Sequence, residues 1–216
     1  MNMMQRILGA FALCAAISGA AFAQTDPQAV VIETADQVLA EVTARKAELE
    51  ADASLIYPLV ERTVVPHFDF ESMARSAMGR FWRNASAEQQ ARVVSEFREM
   101  LVRTYATALL GYSGQKIEYP PMQVADGAEK VMVPTKVRAA GGPPIPINYR
   151  LKFNDQRWLV YDVVIDGISL VTNYRSTFAR QIQQGAAKAS NPAQRMSAGI
   201  DHLIEALANK NDNSGA

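Results

Sequence analysis

The hydrophobic period of this chain changes twice, and each change falls at a glycine. From Asp26 to Gly111 apolar residues recur at helical spacing; from Ile117 to Ile165 they alternate; after Gly167 helical spacing returns. Helices first, strands next and helices last segregates the two kinds of element along the chain. That order predicts an α+β fold, with helices packed on the apolar face of a curved antiparallel sheet.

The boundaries carry their own signals. Asp26 before Pro27 starts a helix on which Val31, Ala35, Val38 and Val42 share a side. A second helix is expected over 55–65, stopping before Pro66, and a third over 70–78, ended by Gly79. Ser86 and Gln89 form a capping box for a long helix that carries Val93, Phe97, Met100, Leu101, Tyr105 and Leu109 on one side and closes at Gly111. In the alternating region, Pro134 predicts an edge strand or a bulge. The stretch 139–144, with its Gly-Gly-Pro-Pro core, reads as a turn, as does Asn154-Asp155, and Gly167 is expected to end the sheet. Helices over 169–183 and 191–207 complete the pattern, and 209–216 reads as a disordered tail.

Residues 1–23 read as a cleaved signal peptide. Arg6 is followed by an apolar run over 7–17, too short to cross a bilayer, and Ala21-Phe22-Ala23 is an A-x-A cleavage pattern before Gln24. The competing lipoprotein reading of Cys14 puts Leu13 where a lipobox carries a small residue. Cleavage removes the single cysteine, so the remaining domain, 24–208, depends on a packed core rather than on disulfides. The sequence has 22 basic and 22 acidic residues; without Arg6 the balance is 21 against 22, a net charge of −1. Such a chain has no electrostatic footprint for nucleic acid and no polybasic patch for anionic lipid.

Catalytic arrangements lack their residues. With only His67 and His202, a histidine metal cluster or a triad is hard to assemble. His67 reads as structural or solvent-facing and His202 as a surface residue. Gly167-Ile168-Ser169 fails as a nucleophile elbow because Val171 replaces the second glycine, so Ser169 reads as a helix cap. Gly141-Gly142 lies in a hairpin rather than between a strand and a helix, so it is no phosphate loop. Asp162 and Asp166 alternate with Tyr161, Val163 and Ile165, which points both outward. A desolvated aspartate beside an apolar cavity would be the rival reading, a base.

Three segments resemble the MlaC family, the periplasmic component of the maintenance-of-lipid-asymmetry pathway, also called the toluene-tolerance or ABC-transporter auxiliary family. They are VVPHFDFESMARSAMGRFW at 64–82, EQQARVVSEFREMLVRTYATAL within 86–110, and RWLVYDVVIDGISLVTNYRSTF at 157–178, with GIDHLIEAL at 199–207 also fitting. The resemblance implies an NTF2-like fold with additional N- and C-terminal helices and a deep apolar pocket. It implies that the pocket holds glycerophospholipid acyl chains, with the headgroup near solvent. It further implies transfer between an outer-membrane lipoprotein–porin complex and an inner-membrane ABC transporter with an MCE-domain subunit, without cofactor, metal or catalysis, in the periplasm.

Two acyl chains need on the order of 20 kcal/mol of shielding from water, at about 0.8 kcal/mol per methylene. The residues expected to supply it are Met73, Phe97, Met100, Leu101 and Tyr105 from the helices, with Ile147, Tyr149, Leu151, Leu159, Tyr161, Val163 and Ile165 from the strands. Arg150 and Arg175 are the expected headgroup neighbours. Periodicity alone favours a closed core, and only the resemblance reverses that preference. Three other functions stay open at this point: a carrier of another apolar molecule such as a hopanoid, a small enzyme on the same fold, and an adaptor without a cavity.

Overall fold

A computed structural model describes residues 26–138 and 142–213. The expected leader, the first half of the 139–144 turn and the last three residues lie outside these. Helix α1 (Pro27–Ala44) starts where Asp26 accepts a hydrogen bond from the Gln28 N–H at 2.9 Å. A short α2 (Lys46–Ala51) follows, which the sequence pattern did not announce. Helix α3 (Ile56–Thr63) stops two residues earlier than expected, and Pro66 then sits inside a 3-10 turn, Val65–His67. Proline crowds the residue before it out of the α conformation, so the α-helix ends upstream and the chain tightens instead.

Helix α4 (Phe70–Met78) begins at Asp69, whose carboxylate accepts from the Ser72 N–H at 2.8 Å, and ends at Gly79 with φ 56°. Helix α5 (Ala87–Ala106) carries the full capping box: the Gln89 N–H donates to Ser86 Oγ and the Ser86 N–H donates to Gln89 Oε1, each at 3.1 Å. Its last turn narrows to a 3-10 segment, Thr107–Gly111.

The sheet is a five-stranded antiparallel meander in chain order: β1 (Lys116–Glu118), β2 (Lys130–Arg138), β3 (Ile145–Asn154), β4 (Arg157–Ile165) and β5 (Ile168–Ser169). Pro134 pairs with Asn148 of β3, while the β1 pairing covers only Lys136, Val137 and Arg138. The proline thus lies in an interior strand at a point where its outer side has no ladder to break. The sheet does not end at Gly167: Asp166 and Gly167 both have positive φ and form a two-residue turn into β5. Between β3 and β4 the register slips once, with Arg150 opposite Asp162 but Leu151 opposite Val160. Tyr161 is therefore the extra residue of a β-bulge.

Helix α6 (Leu170–Lys188) is capped by Ser169, and α7 (Arg195–Asn213) packs against it. The two approach closely where Gly185 faces His202 and Gly199 faces the Ile182 carbonyl. Residues 209–213, expected in a disordered tail, belong to α7. The buried Asn211 amide donates to the Glu96 carbonyl oxygen at 3.1 Å and its carboxylate at 3.0 Å, which docks the last turn on α5.

Three apolar clusters result: α4 to α7 around Phe97 and Phe178, α1 to α3 with the end of α5 around Ile56 and Leu59, and the inner sheet face with α1 around Leu151 and Trp158. Among the described residues no helix is long and apolar enough to cross a membrane.

Candidate functional site: an apolar cavity between the helices and the sheet

The second and third clusters do not close on each other. Between them lies a cavity of about 390 Å³, within the range of small-molecule pockets. Helix α1 contributes Val30, Val31, Ala35, Val38 and Leu39; the bend from α3 to α4 contributes Val64, Val65, Phe68 and Phe70; the end of α5 contributes Leu101, Val102, Ala106 and Leu109. The sheet adds Ile117, Ile147, Tyr149, Val160, Val163 and Ile165. None of the lining side chains is an acid, a lysine or an arginine, so the space offers nothing to a charged group.

Seven of the twelve expected residues lie on this wall: Met73, Leu101, Tyr105, Ile147, Tyr149, Val163 and Ile165. Five do not. Phe97 and Met100 are buried among α4, α6 and α7, with Phe97 edge-on to Phe178 at 5.0 Å between ring centroids. Leu151 is fully buried in packed core, opposite Val131 on β2 and Val160 on β4. Leu159 and Tyr161 are displaced by the bulge. Upstream of it the cavity-side residue is Val160, downstream it is Val163, and a strict alternation through Tyr161 gives the wrong face to Leu159. Leu159 instead borders a polar cleft, and the Tyr161 ring lies 5.9 Å from the Lys130 ammonium.

That cleft shares Phe68 and Phe70 with the cavity. In it the Lys152 ammonium lies 2.5 Å from the Asp69 carboxylate and donates to Ser72 Oγ at 2.8 Å. Burial pushes the Asp69 carboxyl up, but Lys152 and the Ser72 N–H outweigh it and hold the group below the ordinary carboxylate range.

Neither expected headgroup neighbour is among the lining residues. Arg150 donates to Asp162 at 3.0 Å, and Arg175 donates through Nε to the Ser76 carbonyl at 2.9 Å, tying α6 to the end of α4. Asp162 is also not the outward residue that alternation predicted. It is fully buried, because the start of α6 covers that face: its carboxylate accepts from the Val171 N–H at 3.2 Å and from Ser169 Oγ at 2.7 Å. Each of those groups is structural, which gives a base no substrate to act on. Asp166 is exposed in the β4–β5 turn.

The polar groups on the wall are few. The Thr34 hydroxyl donates to the Val30 carbonyl at 2.7 Å, and Tyr105 is hydrogen-bonded to Tyr174, whose pKa burial and this bond both raise. His67 lines the cavity, a position its expected structural or solvent-facing role did not specify. Burial, then the charge of Arg157, lower its pKa against a smaller opposing effect of Glu33, so the ring is neutral at neutral pH. Burial, then Tyr119, push Tyr149 up to about 12. Among the described residues no three His, Cys, Asp or Glu side chains gather as a metal site would need.

The contributions of α1 and of Val64, Val65, Phe68 and Phe70 were not anticipated. Their signal is present: five of seven residues over 64–70 are apolar or aromatic in a stretch too short for a helix and too dense for a solvated loop.

Fold and site together define an α+β protein whose helices and sheet enclose an apolar container. The family model described as MlaC protein matches residues 32–209, and the chain belongs to the MlaC family. It is 29 % identical over 177 residues to the toluene tolerance protein ttg2D of Pseudomonas putida, covering 82 % of each chain. It is 24 % identical over 158 residues to the intermembrane phospholipid transport system binding protein MlaC of Haemophilus influenzae, covering 72 % of this chain and 74 % of that one. A solved phospholipid-binding protein of Ralstonia solanacearum, in complex with a phospholipid, superposes with a TM-score of 0.76 at 30 % identity, over 88 % of this chain and 99 % of the other.

Proposed function

We propose that this protein is a periplasmic carrier that holds glycerophospholipid acyl chains in the cavity and shuttles lipid between outer-membrane and inner-membrane complexes. The outer partner would be a lipoprotein–porin complex, the inner one the MCE-domain subunit of an ABC transporter, and the result the maintenance of outer-membrane lipid asymmetry. The observation that carries the reading is the cavity itself: an ordinary core closes, because an unfilled apolar space of this size forfeits contacts on every side. A space kept open, walled by aliphatic and aromatic groups and without a charge, suits hydrocarbon. The phospholipid bound to the Ralstonia protein and the name of the Haemophilus relative support the same cargo. The apparent leader over 1–23 supports export. No bond-making step is needed, and the buried carboxylate that would be the base is already engaged by Arg150, Ser169 and Val171.

Native mass spectrometry of the exported protein, followed by lipid identification after denaturation, tests this reading. A stoichiometric phospholipid adduct is expected, and its mass reports the number of chains held. A protein that is bare as isolated, and still bare after incubation with phospholipid vesicles, refutes it.

A further inference from the structure

The side of the sheet that faces away from the cavity is covered unequally. The register sets Met132 of β2, Arg150 of β3 and Asp162 of β4 in one row across that side. The start of α6 covers Asp162, whereas Met132 is 51 % exposed, so the row runs from helix to solvent. The open part is strongly biased in charge. Lys116, Lys130, Lys136, Arg138, Arg150 and Lys152 stand on β1 to β3, and Glu118 is the only acid on those three strands. Cross-strand pairing puts all seven on the same face.

Three of the cations are engaged: Arg138 with Glu118, Arg150 with Asp162 and Lys152 with Asp69. Lys116, Lys130 and Lys136 are exposed and have no carboxylate within an ion pair's reach among the described residues; Lys136 stands opposite Glu118, which Arg138 already holds. Lys130 lies directly opposite Lys152, and Lys116 directly opposite Arg138. Like charges in that position destabilise a sheet, so the fold gains nothing from them. A balanced composition predicted no polybasic patch, yet the pleat assembles one from three strands.

A flat, open, cationic face suits an anionic partner, and lysine decides its class. Protein interfaces favour arginine and are depleted in lysine. The unpaired cations here are all lysines, compact charges on long flexible stems that can follow the phosphates of a fluid surface. We propose that the outer face of β1 to β3 is a docking surface for an anionic phospholipid bilayer, with Lys116, Lys130 and Lys136 among the headgroup phosphates. Each such lysine tightens attachment about fivefold, and three together on the order of a hundredfold. The cavity lies on the other side of the sheet, so docking leaves it unobstructed. The inference goes beyond the carrier reading, because it concerns where the protein is held rather than what it carries.

The test is flotation of the full-length mature protein with vesicles of phosphatidylcholine, alone or mixed with phosphatidylglycerol, at low and at physiological salt. With 22 basic and 22 acidic residues the chain as a whole is drawn to neither vesicle, so a preference reports the face. Attachment to the mixed vesicles is expected to be tighter by on the order of a hundredfold at low salt and to weaken as salt screens it. Lys116→Glu, Lys130→Glu and Lys136→Glu together are expected to abolish the preference without lowering the melting temperature, since they relieve the like-charge pairs. Arg83→Glu, Arg180→Glu and Lys188→Glu, which change the net charge equally on helical segments, are expected to leave it intact. Equal attachment to both vesicles points to an acidic protein surface instead and overturns the proposal. So does attachment indifferent to salt, a preference that survives the sheet variant, or one that is lost in the helix variant. Cargo occupancy, read in the same samples by native mass spectrometry, keeps the two readings apart. A phospholipid-loaded protein that ignores phosphatidylglycerol refutes the docking alone, and an empty one that binds it refutes the carrier reading alone.

Discussion

Replacing Asp162 with alanine isolates what the buried carboxylate does. Three donors converge on it: Arg150 at 3.0 Å, Ser169 Oγ at 2.7 Å and the Val171 N–H at 3.2 Å. Two of them can relax. The Arg150 side chain is 43 % exposed and Ser169 is only half-buried, so water replaces the lost partner at little cost. Val171 is buried, and its N–H, in the first turn of α6, has no other acceptor to turn to. Stranding it costs about 1–3 kcal/mol, and the loss of charge-assisted bonds brings the total to roughly 3 kcal/mol. For a domain of this size that is a fall in melting temperature of about 6–12 °C. Urea unfolding followed by the fluorescence of Trp158, which is buried on the same strand, reads the change directly. Asp162→Asn keeps one acceptor and is expected to lose about half as much. Phospholipid loading is expected to survive both changes, because the carboxylate lies on the far side of β4 from Val163 and the cavity. A loss below about 1 kcal/mol in the alanine variant, or loading abolished in a folded asparagine variant, would refute this account of the residue.

Three further outcomes follow from the packing. A methyl group at Gly199 would lie 2.4 Å from the Ile182 backbone carbonyl and 3.2 Å from the Ala186 Cβ, so Gly199→Ala must push α6 and α7 apart. Destabilisation of about 1–3 kcal/mol is expected, and an unchanged urea midpoint would contradict the close approach. Ala35→Trp projects an indole from α1 into the cavity and is expected to lower phospholipid occupancy severalfold in native spectra, with the melting temperature little changed. Normal loading would remove Ala35 from the wall. His67 has a lowered pKa in the folded protein, so the unfolded chain takes up its proton first as the pH falls. Its contribution is complete above the ordinary histidine value of about 6.5 and is lost as the pH drops toward the folded value. The unfolding midpoint is expected to fall between about pH 7.5 and 5.5, and less steeply in His67→Gln. Equal slopes in the two proteins would show that another group is responsible.

The local chemistry of the chain was readable residue by residue. The cap at Asp26, the capping box of Ser86 and Gln89, the stop at Gly79 and the cap at Ser169 all depend on a few neighbouring atoms. So does the switch between helical and alternating periods, which is why the order of elements and the α+β class follow from the sequence. The end of α7 did not, because Asn211 is held by Glu96, a residue distant in the chain.

The site was legible in part, and the boundary has a physical cause. Hydrophobic pattern reports that a side chain avoids water, and says nothing of whether protein or empty space stands opposite. Leu101 and Phe97 sit one turn apart on the same apolar side of α5, yet the first borders the cavity and the second is enclosed by α4, α6 and α7. On β4 a single extra residue at Tyr161 decided which neighbours face inward, and a bulge depends on the partner strand as much as on its own sequence. The amino-acid sequence by itself determined which residues leave water and the elements on which they do so. The tertiary structure alone decided where the packing stops short of closing, because a cavity belongs to no single element.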